Sequence, residues 1–242
     1  MAHGTPDWGG AAPQVVSSPV ADFGELAARL GSIDTVNRQG NVILFDDFSG
    51  GLHQVTQYVT GASSYTELSR AFALAHGWSA HLYADGSAGA QAGVRKLSPV
   101  PQAGHMGAEW MISYDIFVQY VEINLIALIG TTAYEAQARY DFVNHALQYL
   151  NNAAVWTTFA TGIYLGGSLD LFHSFKLTID SVNGNYLRFI ADGTIYDLSG
   201  IGIYTVPVAA SSYINSSIQQ FSNAPNPNDA YVGGCILTIN EP

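Results

Sequence analysis

Lysine is nearly missing from this chain: Lys96 and Lys176 are the two in 242 residues. Charged residues of every kind make up 11%, under half of the quarter that soluble domains usually carry. Eight Lys and Arg stand against nineteen Asp and Glu, a formal net charge of −11. That balance excludes nucleic acid as a partner, because its capture rests on cations neutralising phosphates. A single cysteine, Cys235, excludes an intrachain disulfide. It stands in the apolar run Cys235-Ile236-Leu237 and is expected as a buried thiol. No apolar run reaches bilayer length: the longest, 116–129, is broken by Gln119, Glu122 and Asn124, so no membrane insertion is expected. Residues 1–10 have neither a basic stretch nor an apolar one. The expectation is a protein made in the cytoplasm without a signal peptide.

What is present is apolar and β-forming. Hydrophobic residues are 48% of the chain, so it can bury a large core and is not disordered. Its polar surface must come from Ser, Thr, Asn, Gln and Gly, which suits a wall in an assembly. Residues 171–204 carry the clearest pattern. Phe175, Leu177 and Ile179 alternate with Lys176, Thr178 and Asp180, the period of a half-buried strand. Asn183-Gly184 is the strongest two-residue hairpin signal, and Asp192-Gly193 and Ser199-Gly200 are further turns. The spacing predicts a four-strand antiparallel meander over 171–204.

The run from Phe172 to Asp180 (aromatic, His, x, aromatic, Lys, Leu, x, Ile-Asp), with Tyr196-Asp197-Leu198-Ser199 downstream, resembles the back-sheet strands of concanavalin A-like jelly rolls. That superfamily includes legume lectins, laminin G modules, laminarinase-like glucanases and many virion proteins. A second matching piece is Val-Ile-Leu-Phe-Asp-Asp-Phe at 42–48, followed by Ser49-Gly50-Gly51-Leu52. The resemblance covers residues 41–242 and implies an all-β fold, a concanavalin A-like jelly-roll sandwich of antiparallel strands. It speaks for fold far more than for function. The opening Met-Ala-His-Gly-Thr-Pro-Asp-Trp-Gly at 1–9 resembles the openings of proteins from phage and prophage structural-gene clusters, which implies a virion component.

Two regions are expected. Residues 1–40 form an extended arm, rich in Gly and Pro and carrying Trp8, and then one short helix over 22–30. Asp22, Glu25 and Gly31 make its capping box and C-terminal glycine, and Phe23, Leu26 and Leu30 share a face. Trp8 with that face is the expected partner-binding surface between subunits. Residues 41–242 form the sandwich, with the last strand, 231–239, beside the first. Residues 109–120 read as one long strand. Trp110, Ile112, Tyr114, Ile116, Val118 and Tyr120 lie on its core face; Glu109, Asp115 and Gln119 lie on the other, a candidate ligand face. Loops 85–93 and 222–229 are the alternative ligand sites. Residues 134–148 read as strand rather than helix.

Catalytic signals are absent. Glucanases of this fold carry Glu-x-Asp-x-x-Glu on one strand, with acids about 5 Å apart. Here Glu109 and Asp115 lie ~20 Å apart along a strand. No Gly-x-Ser-x-Gly elbow, P-loop or His-Glu-x-x-His motif occurs, so no enzyme activity and no metal site are expected. Asp46-Asp47 is the candidate calcium pair, with capping carboxylates beside a turn the favoured reading. Trp78, Trp110 and Trp156 read as core rather than as sugar platforms. The function expected is a non-enzymatic structural or assembly protein of a phage or virus-like particle (capsid decoration, cement or tail component). It would sit on the particle surface as a homo-oligomer, against copies of itself or other subunits. A carbohydrate-binding module or adhesin with glycan partners is the alternative.

Overall fold

The computed structural model describes residues 40–74, 77–99 and 103–242. The expected arm and helix, with Trp8, Phe23, Leu26 and Leu30, lie outside the described residues. Among the described residues there are fourteen strands and no helix. They are β1 (Asn41–Asp46), β2 (Thr56–Thr60), β3 (Tyr65–Ser69), β4 (Ser79–Ala84), β5 (Gln91–Pro99), β6 (His105–Tyr114) and β7 (Val118–Asp141). Then come β8 (Ala146–Leu150), β9 (Trp156–Thr161), β10 (Ser168–Asp180), β11 (Asn185–Ala191), β12 (Thr194–Asp197), β13 (Tyr204–Ser222) and β14 (Asn228–Ile239).

The strands make two sheets. The larger runs β12-β11-β10-β6-β14-β4-β3, with β1 also on β14; the smaller runs β2-β5-β13-β7-β8-β9. The last strand does lie beside the first, with Asn41 opposite Ile239 and Asp46 opposite Cys235. Cys235 is fully buried, and burial raises its thiol pKa well above the usual value.

Alternation supplies the core. Trp110, Ile112, Phe175, Leu177 and Ile179 of the larger sheet face Ile123, Leu125, Ile214 and Ile218 of the smaller. Several polar bonds cross this apolar layer, among them those of Trp110, Gln220 and Tyr186. Trp110 Nε1 donates to Ser216 Oγ at 2.8 Å, and Gln220 Nε2 donates to the Leu82 carbonyl at 2.7 Å. Both satisfy groups that would otherwise be buried unpaired.

Three local expectations change. The meander has three strands, β10, β11 and β12. After Ser199-Gly200 the chain touches it through one bridge, Asn185 with Gly202, and then leaves for the smaller sheet as β13. The tight two-residue turn falls at Asp192-Gly193, where both residues have positive φ (45° and 80°) and Ala191 pairs Thr194. Asn183-Gly184 instead ends a longer loop, 181–184, whose carboxylate Asp180 accepts from the backbone of Val182 and Asn183. Residues 109–120 are not one strand. Asp115 Oδ1 accepts from Phe117 N at 2.8 Å and turns the chain, so β6 and β7 lie in different sheets. Residues 134–141 are strand, as expected.

Candidate functional site: the outer face of the smaller sheet

In β13 the core takes Ile214, Ser216, Ile218 and Gln220, so Asn215, Ser217, Gln219 and Phe221 point outward. In β7 the core takes Val121, Ile123 and Leu125, so Tyr120, Glu122 and Asn124 point outward. The register aligns these residues in rows across four strands. One row is Tyr58, Gly93, Gln219, Glu122; the next is Thr56, Arg95, Ser217, Asn124; a third is Thr60, Gln91, Phe221, Tyr120. Rows lie ~7 Å apart and strands ~5 Å apart.

The first row is closely packed. A side chain at Gly93 would meet Tyr58 Cζ at 2.5 Å and Gln219 Cβ at 2.8 Å. The glycine therefore lets the Tyr58 ring lie across the sheet. Its hydroxyl reaches the Ile218 carbonyl at 3.4 Å. Burial pushes the phenol well above its usual pKa, with the Glu122 charge adding to the rise and Ser217 and Arg95 opposing it. Gln219 Nε2 donates to Glu122 Oε1 at 2.6 Å. Burial raises the Glu122 pKa too, against hydrogen bonds from Gln219 and Asn124 and the charge of Arg139.

Arg139 reaches the same place because β7 doubles back. A straight strand of 24 residues would run ~75 Å, yet Phe142 N donates to the Gln119 carbonyl at 3.0 Å. The reversal is at Gly130, with φ of 61°, where β13 also shifts register between Pro207 and Ser211. The second half of β7 thus brings Arg139 beside Glu122. Its guanidinium lies between the rings of Tyr120 and Trp156, 4.1 Å from each centroid, and its Nε donates to Gln148 Oε1 at 2.7 Å. Gln148 in turn donates to Thr158 Oγ1 at 3.1 Å.

The second row carries unsatisfied polar atoms. Asn124 Nδ2 donates to Ser217 Oγ at 3.1 Å, which leaves Asn124 Oδ1 buried with no partner. Arg95 Nε of this row is also buried and unpartnered, as is Asn215 Oδ1 in the neighbouring row with Leu97 and Ile126. Glu122, Asn124, Ser217 and Gln219 are each at most 9% exposed, although they point away from the core. Planar amides, a carboxyl, a phenol and stacked rings on one face suit a ligand with many hydroxyls and an apolar edge. Glu122 is the one carboxyl in these rows.

The residues expected from the sequence go elsewhere. Glu109 is on the outer face of the larger sheet, 1% exposed, and accepts from Ser174 Oγ at 2.9 Å. Asp115 holds the β6–β7 turn and also accepts from Asp229 N at 2.9 Å. Gln119 is the nearest to the site, its Nε2 donating to the Tyr120 hydroxyl at 3.1 Å. The three do not form one face. Asp46 pairs with the buried Lys96 and caps Phe48 N, and Asp47 caps Ser49 N. Among the described residues no three His, Cys, Asp or Glu side chains converge as a metal site. The two expected ligand loops do come together: Gly86 packs on Pro225 and Pro227, and Ser222 Oγ donates to the Ser87 carbonyl. They close the Gln91–Phe221 end of the rows. Trp110 is core, Trp78 packs partly on the core under Arg70, and Trp156 belongs to the outer face. Tyr58, Arg95, Arg139 and Gln219 were not singled out by the sequence, and Glu122 and Asn124 stood out there only as polar breaks in an apolar run. Alternation marks each as outward, but only the register shows that they meet.

No protein family matches the chain in sequence, and no curated protein does. In structure the chain is similar to several solved proteins. A protein described as cellulose induced protein Cip1 shares 12% identity at a TM-score of 0.54, over 81% of this chain and 96% of its own. An endo-β-1,4-glucuronan lyase from the fungus Trichoderma reesei shares 11% at 0.54, over 83% and 96%. A sialidase shares 12% at 0.53 over 84% of this chain, which spans only 19% of that sialidase. The fold is therefore an all-β sandwich of two antiparallel sheets, consistent with a jelly roll.

Proposed function

We propose that this protein binds carbohydrate on the outer face of its smaller sheet. The observation that carries the reading is the grid of outward side chains there, in which Tyr58, Gln219, Glu122 and Arg139 form a continuous polar and aromatic surface. Sugars offer hydroxyls to planar amides and carboxyls, and an apolar ring edge to aromatic faces. Two of the similar structures are named as a sialidase and a glucuronan lyase, which supports a carbohydrate ligand for this chain. A role in a virus-like particle, which residues 1–40 and the low charge suggested, finds no support among these neighbours.

The test is a glycan array with the full chain, followed by calorimetry on each hit. Wild-type protein is expected to retain a defined set of glycans. Gln219→Ala and Trp156→Ala are expected to weaken binding about tenfold or more, as hot-spot truncations do. An array with no glycan above background ends the proposal, and so does full binding by both variants.

A further inference from the structure

We infer that the glycan on this face is acidic, and that Arg95 takes a sugar carboxylate there; the inference rests on the carbohydrate-binding reading above and names its ligand class. It begins from an inventory of cations. The described residues hold six: Arg70, Arg95, Lys96, Arg139, Lys176 and Arg188. Lys96 pairs with Asp46, and Lys176 with Glu241 at 2.7 Å. Arg188 donates to Glu241 Oε2 at 2.8 Å and to the Pro242 carbonyl at 3.1 Å. The Arg70 guanidinium lies over Trp78 at 3.9 Å. The two that remain, Arg95 and Arg139, both stand on the outer face of the smaller sheet.

These two differ. Arg139 is already held by Tyr120, Trp156 and Gln148, with the Glu122 carboxyl beside it. Arg95 has no carboxylate partner among the described residues, and its Nε is buried without an acceptor. Its two Nη groups are not among the buried, unpartnered atoms, and their N–H bonds form the planar fork that matches a carboxylate with two parallel hydrogen bonds.

The surroundings are those of a sugar acid rather than of a bare anion. In the same row, the Ser217 hydroxyl accepts from Asn124 and is hydrogen-bonded to the Tyr58 phenol, so the two rows form one polar network beside Arg95. Asn124 Oδ1 and Asn215 Oδ1 are acceptors without donors, and sugar hydroxyls are donors. Tyr58 lies across the adjacent row and gives an aromatic edge beside Arg95. A chain of net charge −11 repels polyanions in general. Acid recognition here must therefore be local, and it must depend on the sugar that presents the carboxylate.

The experiment uses the full chain and calorimetry with short oligomers of glucuronate, galacturonate and mannuronate–guluronate. Each is compared with its carboxyl-reduced counterpart. At least one acid is expected to bind about tenfold tighter than its reduced form, the size of one charge-assisted contact. Arg95→Gln is expected to abolish that preference, so that the acid and its reduced form bind alike. Arg95→Lys, which keeps charge and loses the fork, is expected to retain part of it, and guards against a folding defect in the glutamine variant. Equal affinity for acid and reduced forms overturns the inference and leaves the carbohydrate-binding reading standing. A preference that survives Arg95→Gln overturns it too. Failure to bind any sugar, acidic or neutral, overturns both.

Discussion

The ring of Tyr58 occupies the space that a side chain at position 93 would need, 2.5 Å from where its Cβ would stand. Gly93 lies in β5 between β2 and β13, and what its place requires is the absence of a side chain rather than backbone freedom. Gly93→Ala should swing Tyr58 off the face and crowd Gln219, whose Cβ is too near the backbone to move far. Glycan binding should fall about tenfold, with ~1–3 kcal/mol lost from overpacking. Calorimetry and urea unfolding on the same variant check both. Unchanged binding would separate Tyr58 from the ligand site.

Ser216 ties the sheets through the Trp110 indole, and both residues are fully buried. Ser216→Ala leaves that N–H without its acceptor and should cost ~1–3 kcal/mol. In a chain of this length that is a fall in melting temperature of a few degrees. Glycan affinity should be unchanged, because Ser216 faces inward.

Glu241 takes Lys176 and Arg188 together, and its side chain is fully buried. Glu241→Gln removes the negative charge from this cluster. Breaking a buried pair by removing one partner costs ~3 kcal/mol or more. Chemical denaturation should show a lower midpoint with an unchanged slope. A loss under ~1 kcal/mol would mean that the cluster is solvated in practice.

Two histidines give stability a pH dependence of known sign. Burial works against protonation of His81, but its hydrogen bonds to Asp229 at 2.7 Å and Glu67 at 3.2 Å outweigh it, and its pKa is raised. Tyr65 and Tyr231 are the rings packed on it. His173 is shifted the same way, with burial overcome by Asp192 at 2.6 Å and the Gly166 carbonyl. A raised folded pKa stabilises fully below the unfolded value of ~6.5 and is lost as pH rises through the folded one. Wild-type stability should therefore decline from about pH 6 upward. The double variant His81→Asn, His173→Asn should flatten the profile. A wild-type profile that rises over this range would contradict the assignment.

Much of the fold is legible in the chain, and the site is not, for one physical reason. Phe175, Leu177 and Ile179 announce β10 by alternation, and the apolar end 231–239 announces β14. Both are local patterns. The break at Asp115 is also local, but alternation of Trp110, Ile112, Tyr114, Ile116 and Val118 continues straight through it and hides the turn. The strand at 201–204 failed because leaving one sheet for the other is decided by packing, not by the residues that leave. The site draws on positions 58, 95, 122, 139 and 219, brought together by register and by the fold-back of β7 at Gly130. Trp156 was expected in the core because a tryptophan in a strand usually is; it shares the outward parity of Thr158 in β9 and stacks on Arg139 there.

Both lysines of this chain are buried, Lys96 at 3% and Lys176 at 1% exposure. The folded sandwich therefore presents no lysine amine to an acylating reagent. It can be coupled, tagged or cross-linked through lysine only when it opens. Modification at these two positions becomes a clock for opening at two places in the fold, Lys96 in the smaller sheet and Lys176 in the larger. The same burial denies a lysine-specific protease its cleavage sites until the strand carrying each one has come away.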